Sequence, residues 1–115
     1  MAEAFNTASI AVTSSEQLLY TAPSADAADV AIIISLRVTN IDGAADDTVT
    51  CTIYQSDGTT KKAEIAHTMT VPADSSLELA GTSKLVLESG EQIKITGAAA
   101  SGDLEAYLSA LEITV

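Results

Sequence analysis

The sequence holds no tryptophan, one cysteine and two prolines in 115 residues. Its aromatic side chains are Phe5, Tyr20, Tyr54 and Tyr107. A lone cysteine, Cys51, excludes an intrachain disulfide and a zinc site built on several thiolates. So few rings leave few platforms on which bases or sugars could stack. Positive charge is scarce as well: five Lys and Arg stand against sixteen Asp and Glu, a formal net charge of -11. Such a field repels nucleic acid and anionic lipid head groups, so neither nucleic acid nor membrane is expected as a partner. The longest strongly apolar run, Val30 to Ile34, falls far short of the roughly 20 residues of a membrane span. Glu3 stands where a secretory leader carries Lys or Arg, and no apolar stretch follows it. Synthesis and assembly in a cytosol are therefore expected.

Hydrophobic residues make up 47% of the chain and charged residues 18%, a balance too apolar for disorder and sufficient for one core. Their order has a period of two. From Val30 to Val38, the residues Val30, Ile32, Ile34, Leu36 and Val38 alternate with Ala31, Ile33, Ser35 and Arg37. This pattern assigns the first row to the core and the second to the outer face of a sheet. Val49, Cys51 and Ile53 alternate with Thr48, Thr50, Thr52 and Tyr54, and Ala63, Ile65, His67, Met69 and Val71 form a further row. No segment carries a helical i, i+3, i+4, i+7 stripe.

Turn chemistry separates the runs. Asp42-Gly43, Asp57-Gly58, Ser89-Gly90 and Ser101-Gly102 are pairs that accept the tight backbone of a reversal. In the last run Leu104, Ala106 and Leu108 share one parity, whereas Leu111, Ile113 and Val115 share the other, which predicts either a bulge or bend near Ser109 and Ala110 or an edge strand crossing from one sheet to the other. The expected fold is all-β, an antiparallel β-sandwich of the jelly-roll or Ig-like kind with about eight strands. A single domain is expected over residues 10–115, and residues 1–9, small and polar apart from Phe5, read as a loose N-terminal arm.

Chemistry-bearing constellations are sparse. His67, in phase with Ile65 and Met69, reads as a partly buried strand residue, and Cys51 as a small core residue, rather than as a nucleophile pair. No phosphate-binding, zinc-protease or serine-hydrolase motif is present, and no enzymatic activity or cofactor is expected. Asp42, Asp46 and Asp47 crowd one loop and are calcium candidates by composition, but they lack EF-hand spacing and Asp is a common turn residue. Ile33, placed on the outer row, joins Phe5 and Tyr54 as candidates for an interface, in a chain with few Lys to guard its edges.

Three stretches carry a resemblance: Ser35-Leu36-Arg37-Val38-Thr39-Asn40-Ile41-Asp42-Gly43, Lys84-Leu85-Val86-Leu87-Glu88-Ser89-Gly90-Glu91-Gln92-Ile93-Lys94-Ile95, and Tyr107-Leu108-Ser109-Ala110-Leu111-Glu112-Ile113. Together they resemble small β-sandwich virion proteins of tailed bacteriophages, over roughly residues 20 to 113. The resemblance implies a hairpin pairing Leu85 and Leu87 with Ile93 and Ile95 across Ser89-Gly90. It implies a non-enzymatic structural protein of the virion, assembled in the bacterial cytoplasm. Within that class the expectation is a capsid decoration protein, a homo-oligomer (a trimer by preference) bound to the major capsid protein or to other virion proteins. The alternatives are a head–tail connector, a tail or tail-tip component, and, less in keeping with the scarce aromatics, a glycan-binding module.

Overall fold

The computed structural model describes residues 1–81, 84–99 and 103–115. The Ser101-Gly102 turn expected before the last strand lies outside the described residues. Among the described residues nine strands follow one another: β1 (Ala2–Val12), β2 (Gln17–Thr21), β3 (Val30–Asn40), β4 (Asp47–Tyr54), β5 (Lys61–Val71), β6 (Ser76–Glu78), β7 (Leu85–Glu88), β8 (Gln92–Gly97) and β9 (Leu104–Thr114). They form two antiparallel sheets. Sheet A runs β1-β9-β3, with β6 and β7 sharing the far side of β3, and sheet B runs β2-β8-β4-β5. Counting β6 and β7 as one interrupted strand gives eight strands in jelly-roll order, so of the two expected sandwich types it is the jelly roll that forms.

The core lies between the sheets. Leu36, Val38, Leu87, Leu104 and Leu108 from sheet A meet Val49, Cys51, Ile93 and Ile95 from sheet B, all without exposed surface. In β4 Val49, Cys51 and Ile53 are buried as read, but Thr52, expected on the outer row, is buried as well. The Asp57-Gly58 reversal also forms, closing β4 onto β5 with Gln55 N donating to Thr60 O at 2.8 Å. Asp57 accepts from the Thr60 hydroxyl and from the amides of Thr60 and Thr59. These bonds, the Thr60 hydroxyl first, hold its carboxyl down at about 2.

Four expectations are corrected. First, Ile33 is fully buried rather than outward-facing. Ile33 lies opposite Ala110 and Ser35 opposite Ser109, so Ile34 is an extra residue, a β-bulge in β3. The bulge brings Ala31 and Ile33 into phase with Leu36 and Val38, and turns Val30 and Ile32 to the other face. The irregularity expected in β9 near Ser109 and Ala110 is thus located at that level of the sheet but sits in the facing strand. Second, the chain from Leu85 to Ile95 is not a hairpin: β7 pairs with β3 in sheet A, whereas β8 pairs with β2 and β4 in sheet B. Ser89-Gly90 is a corner between sheets. Gly90 has φ +76°, and a Cβ there would stand 3.0 Å from Ser56 Cβ. Glu91, buried beside it, ties the corner by accepting from Glu88 N at 2.8 Å and from Lys62 Nζ at 2.5 Å.

Third, residues 2–9 do not form a loose arm. They belong to β1, which pairs with β9 from Ala2↔Thr114 to Val12↔Leu104 without interruption. Fourth, His67 is exposed, with 74% of its side-chain surface free, and its Nδ1 lies 2.9 Å from Glu64. The reason is the shape of β5, whose register against β4 shifts three times and which includes Thr68 at φ 48°. The irregular strand carries His67 away from the core.

Candidate interaction face

The outer face of sheet A follows from the register. Phe5 lies opposite Leu111, Leu111 opposite Ile32, and Ile32 opposite Val86. These residues share one face, so an apolar row crosses four strands, a span of about 15 Å at the usual strand spacing. Phe5 is 79% exposed and Val86 58%, while Ile32 and Leu111 between them are half-buried. The neighbouring row reads Glu3, Ile113, Val30, Glu88, with two apolar residues between terminal acids. An apolar row with acids at the ends of its neighbour is unusual on the outside of a sheet, which makes this face the candidate contact surface.

Further along the same face the register gives Ser9, Tyr107, Arg37 and Glu78 in one row and Ala11, Glu105, Thr39 and Ser76 in the next. Small residues beside large ones leave a shallow groove of about 450 Å³. Arg37 stands opposite Glu78 but makes no ion pair with it. The Glu78 carboxylate instead accepts from Leu36 N at 2.6 Å and Ala80 N at 3.3 Å.

The interface candidates read from the sequence separate here. Phe5 lies in the apolar row, Ile33 is beneath it in the core, and Tyr54 belongs to sheet B. The Tyr54 hydroxyl donates to Glu16 at 2.8 Å, and Lys94 Nζ sits 4.6 Å from its ring centre. The bond to Glu16 disfavours the phenolate and raises the Tyr54 pKa. Sequence reasoning missed Ile32, Leu111 and Val86. Leu111 was visible as out of phase with Leu108, but Ile32 and Val86 carried no signal apart from their core neighbours.

The acidic candidates each do local work. Asp42 accepts from the amides of Ala44 and Ala45 at 2.8 and 3.2 Å, and Asp46 accepts from Ala73 N at 3.0 Å. Asp47, buried, accepts from Thr48 N at 2.7 Å and Ala98 N at 3.1 Å. Among the described residues, no three acidic, His or Cys side chains converge in a metal-holding arrangement. Cys51 is buried at the sheet interface, and burial pushes its thiol up to about 12. Tyr20 donates to Glu112, and burial followed by that carboxylate raises its pKa.

No protein-family model matches the sequence, and no curated protein does. Solved structures do share the fold. A subunit of Bacillus endospore appendages, described as a novel family of disulfide-linked pili, aligns over 99% of this chain and 88% of its own at a TM-score of 0.61 and 13% identity. The T13 particle of IBDV contains a chain that aligns over 96% of this one at a TM-score of 0.54 and 11% identity. A chain of infectious bursal disease virus strain Gx aligns over 97% at 0.55 and 12% identity. This chain spans 31% and 30% of those two viral chains. At these identities the likeness establishes the all-β fold, found here in assembly proteins of a pilus and of virus particles.

Proposed function

We propose that this chain is a non-enzymatic structural subunit of a virus particle, a decoration protein that lies on a bacteriophage head with the outer face of sheet A against the major capsid protein. The observation that carries this reading is the apolar row Phe5–Leu111–Ile32–Val86. It is left uncovered in a chain whose charge of -11 would otherwise keep copies dispersed. The jelly-roll fold shared with subunits of a pilus and of virus particles supports a structural role in general. Affinity per copy need only be modest, because contacts repeated across a lattice reinforce one another. Cys51 has no exposed surface, so attachment through that thiol plays no part.

Copy number and binding test the reading together. Hundreds of copies per particle are expected; about a dozen would indicate a head–tail connector or tail component instead. Phe5→Ser removes the most exposed side chain of the row, and the loss of about 2 kcal/mol of apolar burial weakens binding to particles roughly 30-fold. The fold is unaffected because Phe5 is 79% exposed. Unchanged binding by Phe5→Ser and Val86→Ser proteins would remove this face from attachment.

A second reading rests on the groove lined by Ser9, Arg37, Thr39, Glu105 and Tyr107, whose ring and polar groups suit a glycan. Glycan-array binding lost on Tyr107→Ala would favour it; an empty array would end it.

A further inference from the structure

The molecule treats its sheet edges unequally. β5, one edge of sheet B, shifts register three times, carries Lys61 and Lys62, and holds Thr68 in a left-handed conformation. β2, the other edge of sheet B, is five residues long and interrupted between Leu18 and Tyr20. The far side of sheet A is divided between β6 and β7, of three and four residues. Short length, bulges and lysines are the devices that prevent one sheet from adding to another. β1 has none of them. It is eleven residues long, regular against β9 throughout, and free of Pro, Lys and Arg.

Its outward backbone groups can be identified. Thr7 N donates to the Asn6 side chain at 2.9 Å, and Thr13 O, just beyond the strand, accepts from Gly97 N at 2.7 Å. Both point away from β9. In a regular antiparallel strand the alternation then directs the N–H and C=O groups of Glu3, Phe5, Ser9 and Ala11 to the same open edge.

We infer that this edge pairs antiparallel with β1 of a second copy of the chain, about a two-fold axis at Thr7. That register sets Thr7 against Thr7, Phe5 against Ser9, Glu3 against Ala11, Ala4 against Ile10 and Asn6 against Ala8. No charge faces a like charge, and Thr–Thr is a favourable cross-strand pair. Charge selects the occupant as well: of the sixteen acids in the chain, β1 carries only Glu3, so this is where two strongly acidic copies can approach. The joined sheet displays both apolar rows on one side, doubling the face proposed above for docking. The symmetry is that of a dimer, in place of the trimer expected from the resemblance.

Cross-linking and sedimentation of the purified full chain test the pairing without any particle. A directly opposed, hydrogen-bonded pair has a Cα separation of about 5.5 Å, within disulfide range, and the buried Cys51 does not compete. Thr7→Cys protein should oxidise to a covalent dimer. Phe5→Cys and Ser9→Cys proteins should cross-link when mixed and not singly. Sedimentation should show a species of twice the 11.8 kDa chain mass, and Thr7→Lys, which opposes two ammonium groups, should return it to monomer with an unchanged circular dichroism spectrum. A wild-type monomer at high micromolar concentration, a trimer, or Thr7→Cys protein that stays uncross-linked would overturn the pairing. A monomer that still binds particles overturns the pairing and leaves the docking face standing; a dimer that binds none does the reverse.

Discussion

Replacing Ile33 with alanine takes three carbons from a position with no exposed surface, packed between the sheets directly after the outward-turned Ile32. Transfer of those carbons to water is worth about 2.4 kcal/mol at roughly 0.8 kcal/mol per buried CH₂. A cavity term adds to it, because the sites around Ile33 are held by both sheets and collapse only in part; the total comes to about 3–4 kcal/mol. The same substitution at Ile32 acts on a half-buried side chain with solvent above it and costs about 1 kcal/mol or less. Urea unfolding followed by circular dichroism separates the two. With an m-value of about 2 kcal/mol/M, the midpoint falls by roughly 1.5–2 M for Ile33→Ala and by about 0.5 M or less for Ile32→Ala. Equal shifts, or the larger shift at Ile32, would mean that the strand keeps one phase through Ile34 and that the bulge is absent. The outer apolar row would then be lost as well, since it exists only because the bulge turns Ile32 outward.

Other positions give independent checks. Asn40 is buried, with Nδ2 donating to Ala45 O and Val71 O and Oδ1 accepting from Asp42 N; Asn40→Ala strands these groups and costs about 2–4 kcal/mol in a chemical melt. Lys62→Met leaves the buried Glu91 carboxylate without its cation. Because the bonds to Glu91 and Glu88 raise the folded-state pKa of Lys62, its stabilisation is complete below the ordinary value of 10.5 and is lost as pH rises through the raised one. Wild type and Lys62→Met should therefore differ in melting temperature at neutral pH and converge in strong alkali. Cys51 should stay unreactive toward a thiol reagent until the protein unfolds, since burial holds its thiol up at about 12.

The sequence made some of this architecture plain and concealed the rest for identifiable reasons. β4 was legible because threonine and aliphatic residues alternate cleanly, so only one phase is chemically reasonable. In β3 both rows of the Val30–Ile34 run are apolar, and alternation alone cannot decide which is buried; the choice is made by the register with β9 and by Ile34 standing out of it. The Leu85–Ile95 segment has the same alternation and the same glycine turn whether it folds back as a hairpin or passes between sheets, and the difference lies in distant partners, β3 for β7 and β2 with β4 for β8. β1 resembles a loose arm in composition because its first half is exposed on both faces, and it is ordered by long-range pairing with β9 rather than by local preference. Phe5 stood out in the sequence as an isolated ring among small polar neighbours, and it lies exposed on the outer face of sheet A. The row to which it belongs comes from four distant segments.

Hydroxyl-radical footprinting of Phe5, Val86 and Leu111 reads the proposed docking face itself, comparing the purified chain with the chain on intact virus particles by mass spectrometry. Strong labelling of Phe5 and Val86 is expected in the free protein and several-fold protection of all three on the particle, with Met69, exposed on the opposite sheet, labelled equally in both. Equal labelling of Phe5 and Val86 in the two states, or protection at Met69 instead, would rule out docking through the outer face of sheet A.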